Sequence, residues 1–126
     1  MGELINLDPL IAGRKKTLHK QILDDDGAAV AMGGAKVFFM AKTAEDDADA
    51  SAVIDVTVTV PDDTDAGNGW FDFEIPASEV PFSLVDTEDI SLYYTWDYML
   101  TELGDGENIS YGQQPVIKTA RKAIAW

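Results

Sequence analysis

The sequence predicts an all-β protein that folds as an antiparallel β-sandwich of about seven short strands. Hydrophobic residues recur at every second position, the spacing of side chains that alternate between the two faces of a strand, and helical periodicity is nearly absent. Glycine and aspartate mark turns between these alternating segments. Because no helical segment is long enough to cross over between parallel strands, two stacked antiparallel layers are favoured.

Strands are predicted, in chain order, at residues 17–23, 35–42, 53–60, 70–75, 90–100 and 115–124. Turns are predicted at residues 24–27, 33–34, 62–69 and 104–106. Residues 77–86, which Pro81 interrupts, are expected to hold at most a short helical turn.

The first two predicted strands differ in how their apolar side chains are divided between the two faces. Residues 17–23 place Leu18 and Ile22 on one apolar side. Residues 35–42 turn their apolar alternate positions inward but leave Phe38 and Met40 on the other side. We expect that partly apolar outer face to be covered by a partner.

The later strands carry the strongest pattern. Residues 53–60 alternate isoleucine and valine with aspartate and threonine, and residues 70–75 alternate hydrophobic with acidic residues. Residues 90–100 are predicted to form a long central strand with Tyr93 on its outer side. Its predicted inward residues are Leu92, Tyr94, Trp96, Tyr98 and Leu100.

The length of 126 residues and the hydrophobic content of 46% predict one domain, residues 1–126, that buries about two-thirds of its unfolded surface. Residues 1–13 are a candidate N-terminal arm outside the core, and residues 45–51 are expected to form a mobile loop. The chain contains no cysteine, which excludes disulfides, thiolate nucleophiles and cysteine-ligated metal sites.

Charge is distributed unevenly along the chain. Between Thr43 and Ile117 there are eighteen acidic residues and no lysine or arginine, and all nine basic residues lie in the two terminal segments. The net charge of −14 argues against nucleic acid and against an acidic membrane surface as partners. With no apolar run of spanning length and no secretory signal, we expect a soluble protein made in a cytoplasm.

Few residues suggest catalysis. His19 is the only histidine and is interpreted as a surface strand residue beside Lys20. Ser110 lacks the glycine and the strand-to-helix turn of a nucleophile elbow, and residues 108–110 match a glycosylation acceptor only formally. Carboxylate pairs are abundant, so their presence does not single out a hydrolase site. The sequence therefore predicts no enzyme and no cofactor.

Calcium is the better chemical hypothesis, because acidic loops supply the oxygen ligands that calcium takes. Asp63, Asp65 and Glu74 occupy the first, third and twelfth positions of a calcium-loop pattern, but Gly67 and Asn68 depart from its fifth and sixth positions. A solvated hairpin loop explains these residues better. The sequence predicts no metal site.

The order of several segments resembles the immunoglobulin-like domain of phage baseplate upper proteins. The similar features are the Asp-Asp-Asp-Gly turn at 24–27, Gly-Gly-Ala-Lys-Val-Phe-Phe at 33–39, Asp-Thr-Glu-Asp at 86–89, Tyr-Tyr-Thr-Trp-Asp-Tyr at 93–98, Gly-Asp-Gly at 104–106 and Tyr-Gly at 111–112. The resemblance covers residues 13–122. It implies an immunoglobulin-like sandwich that acts as an assembly module of a tail tip, without catalysis. The very acidic middle of this chain departs from the family.

The leading hypothesis is accordingly a small structural protein of a phage or prophage virion, located in the tail, baseplate or head-to-tail junction and made in the cytoplasm of a bacterial host. Its partners are expected to be other virion structural proteins and further copies of itself. The expected contact is a basic patch at the meeting point of the first and last strands, with the C-terminal indole inserting into a neighbour. The residues of that contact are Arg14, Lys15, Lys16, Lys118, Arg121, Lys122 and Trp126.

Two other functions are open. A carbohydrate-binding or adhesin-type sandwich would use loop carboxylates, with or without calcium. A small hydrolase is disfavoured because the sequence offers no nucleophile, base or cofactor loop.

Overall fold

The computed structural model describes residues 3–44, 52–85 and 88–119. Its strands are β1 (Glu3–Leu4), β2 (Leu10–Ile11), β3 (Lys16–Gln21), β4 (Lys36–Lys42), β5 (Ile54–Thr59), β6 (Trp70–Ile75), β7 (Ile90–Met99) and β8 (Glu107–Ile117). One helical turn, α1 (Thr64–Gly67), precedes β6, and two 3₁₀ turns, Ala77–Glu79 and Phe82–Val85, follow it. Of the described residues, 48% lie in strands and 10% in helical turns, which confirms the all-β prediction.

The strands form two sheets that pack as a sandwich. The larger sheet has the order β1-β8-β7-β4-β5, with β2 also paired to β8, and the smaller sheet pairs β3 with β6. The division sets β3 and β6 in one layer and β4, β5, β7 and β8 in the other. One detail differs from a purely antiparallel fold, because β1 and β2 both run parallel to β8.

The core lies between the two sheets, where alternate residues of each strand point inward. Phe39 of β4 stacks on Tyr94 of β7 with ring centroids 5.5 Å apart. Phe71 and Phe73 of β6 meet Trp96 edge to face at 5.9 and 5.8 Å. The contacts of Phe71 and Phe73 with Trp96 join the two layers. The residues predicted to face inward in β4, β5 and β6 are buried or half-buried.

Two predictions at strand ends are wrong. Leu100 is 43% exposed, because β7 ends at Met99 and the chain turns before Leu100 can join the core. The last strand begins at Glu107 and ends at Ile117, whereas residues 115–124 were predicted. Its polar middle hides the strand pattern, and buried Gln114 is accommodated because its amide donates to the Asp8 carbonyl at 2.8 Å.

The N-terminal segment lies against β8 instead of extending as an arm. The Ile5 and Leu7 amides donate to the carbonyls of Tyr111 and Gln113 at 2.8 and 3.1 Å. Leu10 is 1% exposed, so this segment contributes to the core. The close approach depends on Gly112, where an added Cβ would lie 2.2 Å from the Ile5 carbonyl oxygen.

The connections mostly follow the sequence expectations. The region after β6 contains only short 3₁₀ turns, as expected. The turn predicted at residues 62–69 contains α1, which forms because the Asp63 carboxylate accepts the Ala66 amide at 2.8 Å. The loop predicted at residues 45–51 lies outside the described residues. No helix in the described part of the chain is long and apolar enough to cross a membrane.

Candidate interaction face

The larger sheet has one side in the core and one side that no described element covers. Alternation along β4 and β7 points every second side chain to this second side, and the strand register joins them into rows across the sheet. We call this surface the outer face. Its residues are Leu4, Asn6, Lys36, Phe38, Met40, Lys42, Asp55, Tyr93, Thr95, Asp97, Met99, Asn108, Tyr111 and Gln113.

One row of the outer face runs across five strands, with Tyr111 and Thr95 opposite each other at its centre. Leu4 pairs with Tyr111 on one side, and Met40 pairs with Thr95 and with Asp55 on the other. The exposed fractions of Leu4 and Tyr111 are 69% and 47%. Large exposed hydrophobic side chains in one row are typical of protein interaction surfaces.

Two depressions shape the outer face. The first has a volume of about 510 Å³ and lies among Leu4, Met40, Tyr93, Tyr111 and Gln113. The second also has about 510 Å³ and is lined by residues that include Phe38, Met99 and Leu100. A partner surface with two protrusions could therefore place apolar side chains on both sides of the sheet centre.

The centre of the outer face is polar and internally hydrogen-bonded. A shift in register between Trp96 and Asp97 sets Asn108 opposite Asp97. The Asn108 side-chain amide donates to the Asp97 carboxylate at 2.7 Å and to the Thr95 hydroxyl at 3.1 Å. The Thr95 hydroxyl donates to the same carboxylate at 3.1 Å. The carboxylate is thereby fixed in orientation, so a partner meets a preorganised polar centre.

The charge of the outer face differs from that of the whole chain. It contains two lysines, Lys36 and Lys42, and two aspartates, Asp55 and Asp97, so its formal charge is balanced. The chain as a whole carries −14. The outer face is therefore a surface by which another acidic molecule, including another copy of the chain, can approach with reduced repulsion.

The structure brings part of the predicted basic patch together. The Ala12 amide donates to the Ile117 carbonyl at 3.1 Å, which places the segment that begins at Arg14 near Lys118. Carboxylates contact both segments: the Lys15 ammonium is 3.7 Å from Glu74, and the Lys118 backbone amide donates to Asp89 at 2.8 Å. Three further residues of the patch, Arg121, Lys122 and Trp126, lie outside the described residues.

The outer side of the smaller sheet carries a cluster that sequence reasoning missed. His19 stacks on Trp70 with centroids 4.7 Å apart and an interplanar angle of 16°, and its Nδ1 lies 2.5 Å from an Asp72 oxygen. His19 and Asp72 are directly opposite in the β3–β6 register. They are 53 positions apart in the chain, so only the strand pairing reveals their contact.

The structure does not bring the calcium-loop residues together. Asp63 caps α1. Glu74 lies four residues after Trp70, the first residue of β6, which is about 13 Å at strand spacing, and it pairs with Lys15. In residues 3–44, 52–85 and 88–119 there is no group of three or more histidine, cysteine, aspartate or glutamate side chains arranged to hold a metal.

Ser110 is a structural hydroxyl. It is 2% exposed, and its oxygen lies 3.0 Å from the Tyr94 hydroxyl, which also donates to the Ile5 carbonyl at 2.9 Å. Burial raises the pKa of Tyr94, although the Ser110 hydrogen bond partly opposes this, and burial together with the Glu107 charge raises the pKa of Tyr98. Both phenols are therefore held in their protonated form.

No protein-family model matches the chain, and no curated protein matches it significantly.

Proposed function

We propose that this protein is a non-enzymatic assembly module that binds other proteins through the outer face of its larger sheet. The observation that supports the proposal most is the charge-balanced outer face, which exposes Leu4 and Tyr111 on an otherwise strongly acidic chain. Tyrosine and methionine are enriched in protein interfaces. The outer face carries both residue types, with Tyr93, Tyr111, Met40 and Met99.

The proposal is non-enzymatic because the candidate nucleophile, Ser110, lies apart from the histidine. His19 lies on the outer side of the smaller sheet, whereas Ser110 is buried beneath the larger one. They belong to different layers, so they form no nucleophile–base pair.

The resemblance to the immunoglobulin-like domain of phage baseplate upper proteins supports a more specific setting. We propose a structural component of a phage or prophage virion, in the tail, baseplate or head-to-tail junction, whose partners are other virion proteins. The basic patch is the weaker contact surface, because the Lys15 ammonium already pairs with Glu74.

The test is incorporation into particles. Tailed particles from a host that produces the protein are purified, and the protein is quantified by mass spectrometry in wild type, Leu4→Asp and Leu103→Asp. Leu103 is the matched control, because it is 97% exposed in the β7–β8 turn and lines neither depression of the outer face. We expect wild type and Leu103→Asp in the particles and Leu4→Asp excluded. Absence of the wild type, or equal incorporation of Leu4→Asp, would contradict the proposal.

One observation supports a second candidate function, carbohydrate binding. A cleft of about 290 Å³ between β5 and β6 is lined by Trp70 and by the carboxylates of Asp63, Asp65 and Asp72. Sugar-binding sites combine aromatic surfaces with carboxylate acceptors. Titration of tryptophan fluorescence against a glycan panel, with and without calcium, tests this. Saturable quenching that Trp70→Ala removes would favour it over the assembly function.

A further inference from the structure

We propose that the outer face binds a second copy of this chain in a twofold, face-to-face dimer. The inference rests on the proposed assembly function of the outer face and adds the identity of one occupant. A dimer of this type is isologous, so the outer face must be complementary to itself.

Charge balance within the outer face favours a second copy. Two copies of a chain with net charge −14 repel each other over most orientations. The outer face is an exception, because Lys36 and Lys42 balance Asp55 and Asp97 within it. Association through the outer face keeps the remaining acidic residues of the two copies apart, which lowers the electrostatic cost of dimerisation.

A twofold axis parallel to the strands and between β7 and β8 gives a self-complementary register. This operation exchanges β7 with β8 and β4 with β1, so Met40 of one copy faces Leu4 of the other. It also sets Asp97 opposite Asn108, an acceptor opposite a donor amide. Lys42 comes opposite Asn6, whose side-chain oxygen accepts the Gln113 backbone amide of its own copy. Asn6 is uncharged, so no like charges face each other.

The area sets the expected strength. Four strands, β1, β8, β7 and β4, have a counterpart under this operation, and about 4.8 Å spacing with about seven residues of about 3.3 Å each gives roughly 440 Å² per copy. Two copies would bury roughly 900 Å² in total, below the usual range of stable specific interfaces. We therefore expect a reversible dimer that depends on protein concentration.

Cysteine cross-linking tests the register directly, because the wild-type chain contains no cysteine. Within one copy, Leu4 and Met40 are separated by three strand intervals, about 14 Å, which is too far for an intramolecular disulfide. The double variant Leu4→Cys/Met40→Cys is incubated with oxidised glutathione, and non-reducing gel electrophoresis measures the covalent dimer. The control is Leu103→Cys/Met40→Cys, which keeps one face position and moves the other to the exposed turn.

We expect at least about tenfold more covalent dimer from Leu4→Cys/Met40→Cys than from the control, and a wild-type monomer–dimer equilibrium in sedimentation experiments. Leu4→Asp should shift that equilibrium to monomer without changing the circular dichroism spectrum, and Leu103→Asp should leave it unchanged. A wild type that stays monomeric at about 1 mM, or equal cross-linking in both double variants, overturns the inference. If the monomer still enters particles through Leu4, the proposed function stands and only the second copy is excluded.

Discussion

The two sheets present opposite kinds of outer surface, although both are built from alternating strands. On the smaller sheet the outward side chains pair with one another: His19 contacts Trp70 and Asp72, and Lys15 pairs with Glu74. On the outer face of the larger sheet the row that crosses five strands exposes Leu4 and Tyr111 at one end. The outward side chains of the smaller sheet thus find partners across its two strands, whereas the larger sheet retains apolar surface that a partner protein can bury.

The largest expected loss of stability comes from a substitution in the core between the sheets, compared with the same substitution on the outer face. Phe73→Ala should lower the free energy of unfolding by about 3–5 kcal/mol, because Phe73 is 0% exposed and joins the two sheets through Trp96 and Phe39. Phe38→Ala, the same change on the outer face, should cost clearly less because Phe38 is only partly buried. Urea unfolding measures both. Equal losses would contradict the assignment of the two faces.

The next effect tests how the N-terminal segment is attached to the larger sheet. Gly112→Ala should destabilise the protein by about 2 kcal/mol, since the new Cβ would clash with the Ile5 carbonyl at a backbone φ of +149°. Hydrogen exchange should accelerate at the Ile5 and Leu7 amides, which donate to β8. Unchanged exchange there would mean that the segment does not depend on this close approach. Because Leu4 lies on the same segment, dimerisation should weaken in parallel.

Alkaline pH should destabilise the larger sheet through its buried phenol. Burial raises the pKa of Tyr94 above its ordinary value of 10.0, so the folded state holds this proton more tightly than the unfolded state. The resulting stability is complete below about pH 10 and is lost as the pH rises through the raised pKa. Tyr94→Phe should cost about 1 kcal/mol at neutral pH for its lost hydrogen bonds and should show a shallower alkaline decline. Thermal unfolding is measured for wild type and Tyr94→Phe from pH 8 to pH 11. An equal decline in stability with pH for the two proteins would contradict this role of Tyr94.

The smallest effect belongs to the smaller sheet. Lys15→Met should change the free energy of unfolding by no more than about 0.5 kcal/mol, because the Lys15 and Glu74 side chains are 71% and 52% exposed. The loss should shrink in 0.5 M salt, about the range where screening removes exposed ion pairs. Glu74→Gln is the matched partner variant. A loss above about 2 kcal/mol for either would show that this surface is more than a solvated set of pairs.

Much of the fold could be predicted from local pattern. Strands β4, β5, β6 and β7 were predicted within one residue or so of their ends, because one face of each is buried and enforces a period of two. The outward position of Phe38 and Met40 followed from the same rule and pointed to the outer face.

Other features depend on pairings that a local pattern does not contain. Strands β1 and β2 have only two residues each and exist because they lie parallel to β8, more than 100 residues away. Strand β8 carries Gly112, Gln113 and Gln114, which interrupt hydrophobic alternation and are accommodated by the crossing N-terminal segment. The contact of His19 with Asp72 likewise required the β3–β6 register.

The most direct test of the central claim is a dilution series followed by amide chemical shifts in solution. We predict concentration-dependent shifts at outer-face residues of β1, β4, β7 and β8, with no change along Lys16–Gln21 or Trp70–Ile75. Shifts centred on the smaller sheet, or no shifts up to about 1 mM, would contradict the proposal that the outer face is where two copies meet.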